Sequence, residues 1–216
     1  MHDPRLGSSL IEAQLPTYEQ RILRTQVVCA SAPEIFAAIH SVDFLQSPVV
    51  ALPNRARIAI DAIRERRCAH IQGSGSEFYF DQLLEPDGGF HLLAEEPESA
   101  IVLGFIGRWW EKGYGRVEWA PADFGQFSLP GYGVGAWGFT VLAYGARTSV
   151  LVTEVRVHGT DDEARRRFRR YWTVVGPFVK AMSGPILRQI RDEAESPPTF
   201  SPRKSFLAPE VAEEPR

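Results

Sequence analysis

Apolar and polar positions along this chain follow two periods, and the change between them divides it. From Thr160 to Glu195, Ala164, Phe168, Tyr171/Trp172, Val175, Phe178/Val179, Met182, Ile186/Leu187 and Ile190 recur at helical spacing. They form an apolar stripe that has to lie on something apolar. Thr160-Asp161-Asp162-Glu163 reads as a capping box, in which hydroxyl and carboxylate take up the first free N–H groups. Gly176-Pro177 and Gly184-Pro185 interrupt the stripe, because proline lacks an N–H and clashes with the carbonyl four residues back. Bends, or three helical pieces in line, are expected. Arg165, Arg166, Arg167, Arg169 and Arg170 make the opposite face, read as a solvated face whose long stems cover apolar surface.

Upstream the period is mostly two. Tyr18 to Ala30 predicts a first, half-buried strand. Ser31-Ala32-Pro33-Glu34 opens a short helix, and Asp43 to Arg67 predicts a second helical region broken by Pro48 and Pro53. It ends in the loop Gly73-Ser74-Gly75-Ser76. Phe78–Leu84 and Phe90–Glu95, separated by Pro86-Asp87-Gly88-Gly89, predict a hairpin. Ala100–Trp110 is a further strand and Gly115–Trp119 a short one. Pro121 to Pro130 is a loop whose Phe124, Phe127 and Leu129 are too aromatic and apolar for mere solvation, so it is expected to fold over an opening. Tyr132–Tyr144 and Thr148–His158 predict a last hairpin across Gly145-Ala146. Consecutive hairpin-linked strands with helices segregated in sequence imply an antiparallel sheet with helices on one side, an α+β architecture closed by the long helix.

The 216 residues, 44% of them apolar, suit one domain with a sizeable core. Residues 1–16 read as a poorly ordered lead-in with room for one amphipathic turn ended by Pro16, 17–195 as the domain, and 196–216 as a proline-rich, charged, disordered tail. A formal charge of −3 gives no global reason to expect nucleic acid. Cys29 and Cys68, far apart and without ligand spacing, suggest neither a disulfide framework nor a zinc site and fit a reducing cytoplasm. No stretch is long and apolar enough for a transmembrane segment, and no secretory leader is seen. Oligomeric state is not legible.

Gly133-Val134-Gly135-Ala136-Trp137-Gly138 matches GxGxxG, but strand residues follow where a dinucleotide site needs a helix N-terminus. A bulge, curvature or close packing of an aromatic ring explains the glycines better. The histidines show no metal-ligand spacing, and no nucleophile elbow occurs. Neither metal nor cofactor is expected. On the last strand Leu151, Thr153, Val155 and Val157 share one face, and Val150, Val152, Glu154, Arg156 and His158 the other. With the apolar set inward, Glu154 and Arg156 form a surface pair worth about 0–1 kcal/mol. The reverse register would turn a carboxylate and a guanidinium inward, where they could assist proton transfer. His91, on the first hairpin, is a further acid/base candidate.

From Tyr18 to Glu195 the order of elements resembles the helix-grip fold of the START-like (SRPBCC) superfamily, which includes polyketide cyclase/dehydrase-like and lipid-transfer-like proteins. PGYGVGAWGFTV, TEVRV, and DDEARRRFRRYW with its downstream Gly-Pro are similar to bacterial members that carry no assigned reaction. The resemblance implies a curved sheet of about seven strands around the C-terminal helix, with two short helical segments after the first strand. It also implies a cavity between sheet and helix for an apolar or aromatic ligand, lipid- or polyketide-like. Trp137 and Phe139, one of Trp109 or Trp110, and Phe168, Tyr171, Trp172 and Val175 from the helix would wall it. Ligand binding is the first reading. Alternatives are a polyketide cyclase/dehydrase-type enzyme using Glu154, Arg156 or His91 as acid/base groups, and a stress-response or cochaperone-like interaction module. Inward polar groups favour the enzyme, a dry cavity favours binding, and a filled core favours the module.

Overall fold

Alternation in the second half of the chain builds the centre of a sheet. The computed structural model describes residues 9–43, 80–84, 89–115 and 117–196. Strands β1 (Gln20–Val28), β2 (His91–Glu96), β3 (Ala100–Gly107), β4 (Gly133–Gly145) and β5 (Thr148–Gly159) pair in the order β1-β5-β4-β3-β2, antiparallel throughout. The longest hairpin, β4–β5, occupies the middle, with Trp137 opposite Val155 and Phe139 opposite Thr153. Helix α1 (Leu10–Gln14) precedes the sheet, α2 (Ala32–Ser41) follows β1, and α3 (Asp162–Glu195) ends the described residues. The curved antiparallel sheet carrying one long C-terminal helix is the expected α+β architecture.

Two apolar clusters flank the sheet. On its inner face Val28, Leu103, Phe139 and Leu151 pack with Ile35 and Ile39 of α2 and with Ile186, Leu187 and Ile190 of α3. On its outer face Val102, Ile106, Val134 and Ala136 are covered by Ile11, Leu15 and Phe124. Residues 10–14 form a single short helical stretch, the amphipathic turn expected within the lead-in, held there by burial of Ile11 and Leu15. Cover on both faces also explains why β3 reads as an unbroken apolar run rather than an alternation.

Five strands are seen among the described residues where about seven were expected. Phe80–Leu84 is a 3₁₀ turn, not a strand. Phe80, Leu83 and Leu84 all join the inner cluster, which a three- and four-residue spacing permits and the two-sided alternation of a strand does not. Val117–Trp119 is irregular, since the preceding Tyr114 and Gly115 both take left-handed backbone (φ 61° and 50°) and turn the chain away. Pro121–Gln126 is a 3₁₀ turn whose Phe124 stacks near Trp119, with centroids 5.5 Å apart, on the outer face of the sheet. It covers that face rather than an opening. The second helical region predicted from Asp43, the loop at 73–76, the turn at 86–88 and the tail from 197 lie outside the described residues.

α3 is one continuous helix of 34 residues, not three pieces, with Pro177 and Pro185 inside it. The carbonyls these prolines leave without helical donors belong to Thr173 and Ala181, both exposed, so water can satisfy them. Its N-cap is Asp161 instead of Thr160. The Asp161 carboxylate accepts from Ala164 N at 2.6 Å and from Gly131 N at 2.7 Å. Thr160 is occupied elsewhere, because its hydroxyl and N–H bind the backbone of Tyr132, and Glu163 pairs with Arg166 and Arg167. At the far end Glu195 accepts from Cys29 N at 2.7 Å, tying α3 to the end of β1. No helix among the described residues is long and apolar enough to cross a membrane.

The Ala164 N–H, with help from Gly131, holds the Asp161 carboxyl below its ordinary value of 3.8. A depressed carboxylate contributes stability that is complete above the unfolded value and is lost as pH falls through the folded one. The thermal midpoint should therefore drop on acidification below about pH 4, and less so in Asp161→Asn, whose amide does not titrate. Parallel acid limbs in the two proteins would show that Asp161 is not a contributor.

Candidate functional site

The two halves of α3 meet the sheet differently. Ile186, Leu187 and Ile190 are buried directly against the inner cluster. Nearer its N-terminus, Phe168, Tyr171, Trp172, Val175 and Val179 face a cavity of about 390 Å³, which Met182, Ser183 and Ile186 close at its far end. Its floor is Phe105, Trp137, Thr153, Val155 and Val157 from β3, β4 and β5; Gly89, Phe90, Trp109 and Tyr114 form one side. The β5 register thus places the apolar set toward the helix.

Glycines set the depth of this floor. Gly133 and Gly135 lie on the same face of β4 as Trp137, and a Cβ at either would overlap the ring of Trp109 or Phe105 respectively. The GxGxxG match is therefore a pair of seats for aromatic rings. A connected run follows: Phe168–Trp109 at 5.8 Å between centroids, Trp109–Phe105 at 5.2 Å, Phe105–Phe90 at 5.1 Å and Phe90–Trp137 at 6.2 Å. Tilted and edge contacts at such distances are favourable for aromatic pairs. The Trp137 indole N–H donates to Thr153 Oγ1 at 2.8 Å, and that hydroxyl donates to Gly138 O at 3.2 Å. The bond lets Trp137 present its ring without an unsatisfied donor.

Of the residues singled out from the sequence, Trp109, Trp137, Phe168, Tyr171, Trp172 and Val175 line the cavity. Phe139 shares their face but is buried in the closed core beside it, 5.1 Å from Trp137 between centroids. Trp109, not Trp110, is the one of that pair that lines the cavity, and the buried indole N–H of Trp110 finds no acceptor among the described residues. Phe90, Phe105 and Tyr114 were not anticipated, and Thr153 was expected on the inward face of the last strand but not named as a wall of the cavity. Phe105 was readable only through register, since it stands opposite Gly135, two positions along from the Leu103–Trp137 pair.

The acid/base candidates lie elsewhere. Glu154 and Arg156 face the outer side of the sheet, yet they are not the surface pair expected there, with only 6% and 4% of their surface exposed. α1 and the segment after it cover them. Arg156 Nε donates to Glu154 Oε1 at 2.6 Å, its Nη1 to Leu15 O at 3.1 Å, and its guanidinium stands 4.7 Å from the centre of the Tyr18 ring. Arg21 Nε donates to the same Glu154 oxygen at 2.6 Å, which raises the Arg21 pKa. These contacts fasten the lead-in to the sheet. His91 is exposed, its ring 4.4 Å from that of Trp119. None of the three lines the cavity.

No family model and no curated protein matches the chain. Among solved structures it is similar to a norcoclaurine synthase point mutant from Thalictrum flavum in complex with a transition-state analogue. That pair shares 13% identity, with 81% of this chain and 93% of that one covered and a TM-score of 0.36. A START superfamily protein from Mycobacterium smegmatis shares 11% identity over 82% and 95% of the two chains, with a TM-score of 0.26. The Zhui aromatase/cyclase from Streptomyces sp. R1128 shares 12% over 82% and 93%, with a TM-score of 0.28. At these scores the likeness carries no information on ligand or reaction. The arrangement of sheet and helix is itself that of a helix grip.

Gly135→Ala should push the Phe105 ring into the cavity and cost roughly 1–3 kcal/mol in urea denaturation, as overpacking does. Adding Phe105→Leu should restore most of the loss; a double variant as unstable as the single would remove Phe105 from the explanation. Arg156→Met should cost roughly 1–3 kcal/mol by leaving buried acceptors unpaired and should expose the 10–18 segment to proteolysis. Unchanged stability and protection would mean that the pair does not hold α1.

Proposed function

We propose that the protein binds an apolar, largely aromatic or acyl small molecule in the cavity under the N-terminal half of α3. The observation that carries this reading is the lining itself: about 390 Å³ walled by aromatic and aliphatic side chains, with no Asp, Glu, Lys, Arg or His among the described lining residues. The volume falls at the small end of the roughly 300–1,000 Å³ range of ligand pockets, enough for a fused-ring compound or a short acyl chain. Its polar handles are few. Thr153 and Ser183 already spend their hydroxyl hydrogens on Gly138 O and Val179 O and can only accept, and Tyr114 and Tyr171 bring phenols to the lining. A ligand with one or two polar groups on an apolar body suits these walls.

The placement of Glu154, Arg156 and His91 across the sheet supports binding over acid/base chemistry of the cyclase/dehydrase kind. A space of this size beneath α3 also speaks for a ligand site rather than a filled core serving a surface interaction.

Neutral N-phenyl-1-naphthylamine should enter the cavity with one dye per protein, quenching tryptophan emission. Trp137→Ala and Trp172→Ala should each weaken it roughly tenfold, the worth of one aromatic wall, while both variants keep their far-UV spectra. Native mass spectrometry of protein as purified should find an apolar compound that extracts into organic solvent. A protein that carries nothing and leaves the dye unbound would contradict the reading.

A further inference from the structure

We infer that the solvent face of α3 is a docking surface for an anionic phospholipid bilayer. Between Glu163 and Asp192 the helix contains Arg165, Arg166, Arg167, Arg169, Arg170, Lys180, Arg188 and Arg191, and no acid. The first three are neutralised locally, through Asp162, Glu163, Glu19 and Glu111. Arg169, Arg170, Lys180 and Arg188 form no ion pair among the described residues.

These free cations bracket an apolar centre. Val174 and Phe178, one helical turn apart, are 66% and 52% exposed, with Pro177 and Ala181 exposed beside them. From Arg170 to Arg188 the face spans about 27 Å at 1.5 Å per residue. Apolar side chains in the middle of a helix face with Arg and Lys at its ends and side are the pattern of a helix lying in a membrane interface. The apolar residues enter the acyl boundary while the long basic stems reach the headgroups.

A second feature lies beside it. Between edge strand β1 and the C-terminal half of α3 runs a cleft of about 580 Å³ lined by Arg24, Lys180 and Arg188. Arg24 likewise has no ion pair among the described residues. Ala181 and Gly184 lie in the same lining, and the Arg188 guanidinium reaches over Gly184. Nucleic acid or a soluble polyanion would meet these charges but would leave Val174 and Phe178 in water. A bilayer satisfies both sets. The face adjoins Val175 and Val179, which line the cavity from the same helix, so an apolar molecule leaving the bilayer would have a short path inward.

Flotation of the full chain with vesicles tests this. Binding to phosphatidylcholine vesicles containing about one third phosphatidylglycerol should be at least about tenfold tighter than to phosphatidylcholine alone, and should weaken as salt rises. Lys180→Glu with Arg188→Glu should lower it about tenfold or more. Phe178→Ser, at unchanged charge, should lower it roughly fivefold to tenfold. If either variant loses its thermal transition, Arg170→Glu and Val174→Ser take its place. Equal binding to the two vesicle types would overturn the inference. So would vesicle binding indifferent to Phe178→Ser or Val174→Ser, or a heparin affinity that fully accounts for retention, since the surface would then recognise polyanions in general. N-phenyl-1-naphthylamine uptake read on the same samples should be unchanged in all variants, which separates loss of docking from loss of the cavity.

Discussion

The anchoring of one end of α3 governs the rest of the molecule. Ile186, Leu187 and Ile190 are buried against α2 and the sheet, and Glu195 is bonded to Cys29 at the end of β1. Asp161 fixes the other end to Gly131, beside the start of β4. A continuous helix held at both ends cannot collapse onto a curved sheet in between. The space left under Phe168 to Met182 is therefore a consequence of geometry, and what fills its edges decides its character. The aromatic rings seated on Gly133 and Gly135 make its lining apolar.

The outer face supplies the rigidity that such a hollow needs. A sheet with one face over a cavity loses packing there, and here the opposite face is closed by Ile11, Leu15 and Phe124. The Glu154–Arg156 pair sits beneath that cover with its hydrogen bonds directed to Arg21 and Leu15. Ionic groups buried in this way demand fixed partners, so they specify where the lead-in crosses the sheet. The charged groups considered for chemistry in the cavity serve attachment on the far side of the sheet.

What was legible in the sequence followed from period and parity. The β4–β5 hairpin, the extent of α3 and the cavity-facing residues Phe168, Tyr171, Trp172 and Val175 could be read because each side chain's face is set by local spacing. Other features depended on segments distant in sequence. The burial of Glu154 and Arg156 rests on residues such as Leu15, 141 positions from Arg156. Phe105 lies in a strand covered on both faces, where alternation vanishes. Phe80–Leu84 mimics a strand in composition, and only the demand that Phe80, Leu83 and Leu84 share one side selects the 3₁₀ turn. The two prolines of α3 looked like breaks because sequence does not show that Thr173 and Ala181, whose carbonyls lose their helical donors, are exposed.

Five tryptophans distributed about one sheet provide the most direct measurement of the central claim. Trp109, Trp137 and Trp172 line the cavity, while Trp119 packs on the outer face with Phe124. Indole N–H resonances of ¹⁵N-labelled protein, followed while N-phenyl-1-naphthylamine is added, should shift for the first three and stay fixed for Trp119. Shifts centred on Trp119, or none at any indole despite bound dye, would place the ligand outside the cavity and contradict the account.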